Sequence, residues 1–264
     1  MPTGVPIIQR IQEQVNGLVK ASLDLLFPPR CGGCGRPGSL LCEECVAAFT
    51  PLTGPLCEVC GEMISAPGLC RRCAAERPRF DYVASAFLYE GTLRHTIHAL
   101  KYRGQKGLAG LLAETLAAQV VAPDGRAGSA PALCPVPMHP NRLRERGYNH
   151  AGLLADRLAV LWGLERLPDE ALRRTRHTPR QVGQDYQARR ENVLGAFEAV
   201  PALVAGRSVL LVDDVCTTGA TLNACADALL QAGAAAAACV TVARAQTQAG
   251  EGAPGLKRVS THHP

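Results

Sequence analysis

Eight cysteines between positions 31 and 73 stand in four Cys-x-x-Cys pairs: Cys31/Cys34, Cys42/Cys45, Cys57/Cys60 and Cys70/Cys73. Such a turn lets two thiolates face one cation, and the glycine after the first pair of each set, Gly35 or Gly61, eases the backbone past the sulfurs. Two turns complete a tetrahedral site of four thiolates that leaves no position for water or substrate, so its chemistry is structural. The pairs form an internal repeat, in which Cys31-Gly-Gly-Cys34-Gly35 and Leu41-Cys42-Glu-Glu-Cys45 are echoed by Cys57-Glu-Val-Cys60-Gly61 and Leu69-Cys70-Arg-Arg-Cys73. Each copy carries its own four ligands, which predicts two structural Zn2+ ions in sequential pairing. A cross-braced pairing is the alternative arrangement, and iron–sulfur ligation or a redox dithiol are the competing chemistries.

A second constellation lies near the C-terminal end. The apolar run Val209-Leu-Leu-Val212 is followed by Asp213-Asp214-Val-Cys-Thr-Thr-Gly-Ala-Thr221. A continuous apolar run is expected of a strand covered on both faces in a parallel sheet, and ligands of such sheets bind beyond the carboxyl ends of the strands. That reading puts Asp213 and Asp214 just past the strand end. Thr217, Thr218, Gly219, Ala220 and Thr221 then supply hydroxyls and backbone N–H groups at a helix N-terminus, a cradle for phosphate. Carboxylates repel a bare phosphate, but they accept hydrogen bonds from vicinal hydroxyls or hold a divalent cation. The combination suits a ribose 5-phosphate.

The positive charge is placed to match. The chain has 264 residues and a net charge of +5, carried by 24 Arg and 4 Lys against 23 Asp plus Glu. Between Arg142 and Arg190 there are 11 Arg and 6 Asp plus Glu, so this stretch alone holds an excess of +5. Arg142, Arg144 and Arg146 are candidates for an anionic ligand, because guanidinium forks match phosphate oxygens. Arg173, Arg174, Arg176, His177 and Arg180 form a second basic run that could also serve nucleic acid through non-specific phosphate contacts. Few aromatic side chains interleave with it, so no stacking platform for a single strand is evident. His139 and His150 flank the first basic run, yet an isolated loop histidine is more often a surface residue, and no general base stands out.

These groups need elements to hold them. With 47% hydrophobic and 19% charged residues the chain can bury an ordinary core. Its longest apolar stretches, such as Ala232–Val240, fall short of the roughly 18 residues a spanning helix requires. Residues 1–27 read as an amphipathic helix, with an apolar stripe broken by Arg10, Glu13, Lys20 and Asp24 and no long run of a signal peptide, so reduced cysteines and a cytoplasmic setting are expected. Residues 28–78 form the cysteine module, too small to fold on burial alone, whose metals should be removable without dismantling the domain after it. From 79 to 245 the pattern is α/β: strands over 80–89, 133–136, 209–212 and 239–242, helices over 92–102, 107–121, 149–162 and up to about 232. The Gly/Ala-rich tail, 246–264, reads as disordered.

The 13 residues Val209–Thr221 resemble the phosphoribosyl pyrophosphate (PRPP) signature of type I phosphoribosyltransferases at essentially every position. Further matches narrow the resemblance to the ComF family of competence-associated proteins: Leu25-Leu-Phe-Pro28, Tyr89, Lys101, Pro135-Val-Pro137, Arg142, Arg146-Gly-Tyr-Asn149, Thr178-Pro-Arg-Gln181, Arg190 with Asn192, and Gly195-Ala-Phe197. The likeness covers roughly residues 20 to 245. Tyr148 and His150 stand where the family more often shows Phe and Gln, Cys216 fills a usually apolar slot, and the segment after Gln181 lacks the family's Leu.

The resemblance implies a double zinc ribbon followed by a type I phosphoribosyltransferase-like parallel sheet flanked by helices. It implies a pyrophosphate loop at Val136 with Arg142, Arg144 and Arg146 beside it, Asp213 and Asp214 on the ribose, the 217–221 turn on the 5-phosphate, a mobile loop carrying the second basic run that closes over the site, and Mg2+ arriving with PRPP. It also implies two functions. One is a PRPP-binding accessory factor in the uptake and handling of transforming single-stranded DNA, alongside proteins of the uptake machinery. The other is an active transferase, moving ribose 5-phosphate to a nitrogen acceptor through Asp213 and Asp214 with release of pyrophosphate.

Overall fold

The computed structural model describes residues 28–122, 130–176, 193 and 195–246. The helix expected before residue 28, residues 177–181, Arg190, Asn192 and the tail beyond Gln246 lie outside these. Two short helices, α1 (Glu43–Ala47) and α2 (Arg71–Ala75), carry the cysteine module. The α/β region continues as β1 (Val83–Leu88), α3 (Gly91–Tyr102), α4 (Leu108–Gln119), β2 (Ala132–Pro135), α5 (Pro140–Arg146), α6 (His150–Trp162), β3 (Leu172–Arg174), β4 (Phe197–Ala199), α7 (Pro201–Val204), β5 (Ser208–Cys216), α8 (Ala220–Gln231) and β6 (Ala236–Arg244). Four strands make a parallel sheet in the order β1-β6-β5-β2, and β3 pairs with β4 as a separate antiparallel ribbon.

The apolar run in β5 has the expected cause. Val209 and Leu211 pack into one buried cluster with α8 and the β3–β4 ribbon, while Leu210 and Val212 pack into another with α3, α4 and α6. Alternate side chains thus enter two cores, and neither face of this run meets water. Helix α3 offers Leu93, Ile97 and Leu100 to its core, and α4 offers Leu108, Leu112 and Leu116, spacings that keep one helical face apolar. Cys134, Cys216, Cys225 and Cys239, the cysteines outside the repeat, are buried in the first cluster and act as small packing residues. Burial pushes the Cys134 thiol up to about 12.

Three local expectations change. Strand β5 runs on to Cys216 and pairs Asp213 with Thr241 of β6, so Asp213 and Asp214 lie inside the strand and not beyond it. Pairing on the other side stops earlier, at Pro135–Val212, which opens a crevice beside the two acids. Arg173 and Arg174, expected in a loop, sit on β3. The helix α5, whose N-terminus is capped by the His139 ring accepting from Asn141 N–H, has no counterpart among the expected elements.

The two halves of the cysteine module are held differently. Cys57, Val59, Cys60, Cys70 and Cys73 share a buried cluster with Phe80, Val83 and Cys216 of the α/β region. The Val83 N–H donates to the Val59 carbonyl at 2.8 Å. The first half docks elsewhere, with Phe49 buried beside α3 and α4, the Thr92 hydroxyl donating to the Cys45 carbonyl and Gln105 Nε2 donating to the Arg30 carbonyl, so both halves share contacts with the domain whose independence was expected.

Candidate functional site

The cysteine tetrads are the simplest part. Cys31, Cys34, Cys42 and Cys45 form one group and Cys57, Cys60, Cys70 and Cys73 the other, which is the sequential pairing. A tetrahedral site with Zn–S bonds of about 2.3 Å needs sulfurs about 3.8 Å apart. The observed separations are 3.6 Å for Cys31–Cys42, 3.8 Å for Cys34–Cys42 and 3.7 Å for Cys60–Cys70. Backbone amides also point at sulfur, Cys42 N–H at Cys31 Sγ and Cys70 N–H at Cys57 Sγ, as suits thiolates. The internal repeat extends to the backbone: Gly35 and Gly61 each donate to the carbonyl of the first cysteine of their knuckle and each has positive φ. The two tetrads fit structural zinc.

The second site is a cleft of about 290 Å³ at the carboxyl end of β5. Asp213 and Asp214 form its floor, Val136 to His139 one wall, and Thr217 and Thr221 the end where α8 begins. Four cations surround the two acids: Lys101 from α3, Arg142 and Arg146 from α5, and Arg174 from β3. The excess of positive charge suits a polyanion, while the acids provide acceptors for hydroxyls.

The acids are closely held. Lys101 Nζ lies 2.6 Å from Asp214 Oδ2, and the two side chains are 13% and 3% exposed. Asp213 Oδ1 accepts from the Asp214 N–H at 2.9 Å. His150 Nε2 stands 3.5 Å from Asp214 Oδ2 and 3.8 Å from Asp213 Oδ1, and its Nδ1 is 2.8 Å from Arg146 Nη1. A guanidinium can only donate, so Nδ1 accepts and Nε2 carries the proton facing the carboxylates. Burial drives the imidazole down to about 4, with Lys101 and Arg146 adding to the fall, so it is neutral near pH 7. Burial beside Asp214 pushes the Asp213 carboxyl up to about 7. Asp214 is also buried, but the Lys101 ammonium outweighs that and holds it below the usual carboxylate range. His150, Asp213 and Asp214 are grouped closely enough to hold a cation, yet the ammonium already occupies Asp214.

The turn after β5 is shaped by Gly219, whose φ of +79° places it in the left-handed region at the N-cap of α8. Thr218 is buried and its Oγ1 accepts from the Ala220 N–H, so its hydroxyl shapes the turn rather than lining the cleft. Of the sequence-predicted residues, the cleft brings together Val136, Arg142, Arg146, Asp213, Asp214, Thr217 and Thr221, with Gly219 and Ala220 in the turn behind them. Arg144 is not among them: it is exposed and its Nη2 donates to Asn141 Oδ1. Helix α5 turns its 144 position away from the 142 and 146 face.

Some cleft residues are not evident as site residues in the sequence. His150 has the sequence context of a surface residue, but as the first residue of α6 it is drawn inward when Asn149 caps that helix and bonds the Val136 carbonyl through Nδ2. Lys101 and Tyr89 stand out in the sequence only as points of likeness, and Arg174 only as part of a basic run. A lysine ending a helix whose other face is apolar is the one signal available for Lys101.

Two cysteine tetrads joined to a parallel sheet that ends in an acid pair and a Thr/Gly turn define a zinc-ribbon protein with a phosphoribosyltransferase fold. Residues 22–74 match the double zinc ribbon domain family, and residues 144–261 match the phosphoribosyl transferase domain family. Across most of its length the chain is similar to DNA utilization protein YhgH of Escherichia coli K12, at 32% identity over 219 residues, covering 80% of this chain and 95% of that one. It is 28% identical to competence protein ComFC of Bacillus subtilis over 215 residues, 76% of this chain and 82% of the relative. With competence protein F of Haemophilus influenzae it shares 30% identity over 187 residues, 69% of this chain and 79% of that one. The chain belongs to the ComF family. Among the described residues no helix is long and apolar enough to cross a membrane.

Proposed function

We propose that this chain is a PRPP-binding member of the ComF family that serves as an accessory factor in DNA uptake and natural transformation, where incoming single-stranded DNA is handled. The observation that carries the ligand reading is the mixed-charge cleft, in which four cations surround two acids in front of the Thr217–Thr221 turn. In this reading the turn and the N-terminus of α8 receive the 5-phosphate, Asp213 and Asp214 accept from the ribose hydroxyls, and Val136, Arg142 and Arg146 meet the pyrophosphate. Arg144 is left to the surrounding surface field. Mg2+ would accompany the pyrophosphate, neutralising part of its charge. Lys101 holds Asp214 in place and lessens its repulsion of the ligand.

The role in DNA handling rests on the relatives, which are named for competence and DNA utilization. Single-stranded DNA and proteins of the uptake machinery are its proposed partners. The zinc ribbon spans 28–78 and the ligand domain 79–245, and the twelve free cysteines suit a reducing cytoplasm.

Calorimetric titration of PRPP with Mg2+ tests the ligand. Wild type should bind, and Asp213→Asn with Asp214→Asn should weaken binding at least tenfold; equal affinity in both proteins overturns the assignment. Anisotropy of a labelled single-stranded oligonucleotide tests the DNA partner, with affinity expected to fall steeply as salt rises.

A further inference from the structure

Arg244, the last residue of β6, is 1% exposed, and its guanidinium reaches two places at once. On one side Nη1 donates to the Thr217 carbonyl at 2.8 Å and lies 2.6 Å from Cys216 Sγ. On the other, Nη2 stands 3.7 Å from Cys60 Sγ and 3.8 Å from Glu62 Oε2. Cys60 is a sulfur of the second tetrad, and Thr217 opens the turn assigned to phosphate. The backbone of Arg244 is itself fixed, paired with Cys216 in β5 and accepting from the Tyr89 N–H.

Charge explains why the fork is held there. Arg72 also approaches Glu62, at 3.7 Å, so two guanidiniums share one carboxylate beside this tetrad. A buried cation without an opposite charge is costly. Four thiolates on a divalent cation carry a net double negative charge, which would attract both guanidiniums. The same fork that answers this charge points its other nitrogen at the Thr217 carbonyl. Arg36 beside the first tetrad also reaches a sulfur, Cys34, but it pairs with Glu44 on the surface, where those side chains are 61% and 68% exposed, and it does not bridge to the phosphate turn.

We propose that Arg244 is a positioning residue that couples the second cysteine tetrad to the phosphate turn, so that metal held by Cys57, Cys60, Cys70 and Cys73 fixes the conformation in which residues 217–221 receive a phosphate. The inference rests on the ligand reading above for the phosphate, but the mechanical link stands apart from it. Coupling of this kind is reciprocal, so phosphate bound at the turn also retains the second metal and leaves the first unaffected.

Two measurements on the zinc-loaded full chain test this. In wild type, zinc release to a chromogenic chelator should proceed as two equivalents, of which PRPP with Mg2+ slows one at least tenfold and leaves the other unchanged. Protection of both equivalents alike, or of neither while calorimetry registers PRPP binding, overturns the proposal. Hydrogen exchange at residues 217–221 should rise at least tenfold in Arg244→Met and stay at the wild-type level in Arg36→Met; unchanged exchange in Arg244→Met also overturns it. If wild type fails to bind PRPP, the ligand reading falls and the exchange measurement alone decides the link. If Arg244→Met does not fold, the wild-type release experiment decides it.

Discussion

Replacing Lys101 by Met removes the ammonium that lies 2.6 Å from Asp214 Oδ2 on the cleft floor. At that distance the gross attraction is about 6 kcal/mol with an effective dielectric near 20, most of it offset by the several kcal/mol needed to desolvate each ion. The variant loses the attraction yet keeps the cost of the buried carboxylate, a situation that typically destabilises by about 3 to 5 kcal/mol. The lower end is expected here, because His150 stands 3.5 Å from the same oxygen and can take up a proton. About 3 kcal/mol corresponds to a fall in Tm of about 10 °C for a chain of this size. Asp214→Asn leaves an ammonium that can still reach water, so it should cost only about 1 kcal/mol, and the double variant should be no less stable than Lys101→Met. A coupling energy of at least about 1 kcal/mol is then expected, measured by urea unfolding of the four proteins of the cycle. The sign with pH is also set. Without Lys101 the folded-state pKa values of Asp214 and His150 both rise, so their contribution is present at low pH and lost as pH rises, and the deficit should be larger at pH 8 than at pH 5. Additive losses within about 0.5 kcal/mol, with a deficit independent of pH, would refute the pairing.

The same geometry sets other outcomes. His150→Gln removes a group whose pKa falls from 6.5 to about 4 on folding, so the stability of wild type relative to this variant should decline by about 3 kcal/mol as pH drops through that window. Asp213, raised to about 7, acts in the opposite direction, which is why the difference between the two urea series is the quantity to plot; a flat difference rejects a buried neutral imidazole. Gly35→Ala and Gly61→Ala both force a side chain to positive φ, but a Cβ at Gly61 would lie 2.7 Å from the Val83 carbonyl oxygen and one at Gly35 would meet nothing. Costs of about 1 kcal/mol for the first and about 3 kcal/mol for the second are expected from thermal unfolding, and equal losses would contradict the docking of the second half on β1. Elemental analysis should return two zinc ions per chain and no iron, since the thiolates form two separate closed tetrads.

Features legible in the sequence are those whose cause is local. The run Val209–Val212 signals a strand because each of its side chains enters one of two cores. The Cys-x-x-Cys spacing signals a metal because the ligands sit within one turn of each other. By contrast, Asp213 and Asp214 extend β5 past the apolar run only because β6 continues beside them, and Asp214 stays charged only because α3 delivers Lys101. Neither partner is near in sequence. The strands β3 and β4 have three residues each, too few for a period-two pattern to register.

The cysteine repeat illustrates the same limit and also a way past it. Its two copies match in ligands, glycines and backbone hydrogen bonds, and on that basis they look interchangeable. Comparing the positions that differ separates them. Gly33 in the first copy corresponds to Val59 in the second, and Arg36 corresponds to Glu62. A Cβ at Gly33 would lie 2.8 Å from Cys45 Sγ and 3.3 Å from Thr96 Oγ1, so that knuckle needs a residue without a side chain where it meets α3. Val59 is buried against the sheet, its carbonyl accepting from Val83, and Glu62 faces Arg72 and Arg244 where Arg36 faces Glu44 and Cys34 of its own copy. An apolar residue and an acid placed where the other copy has glycine and arginine mean that the second knuckle has an apolar surface and a cation to meet elsewhere in the fold. The asymmetry inside the repeat therefore identifies which half meets the sheet and which meets α3, and it does so at positions that bind no metal.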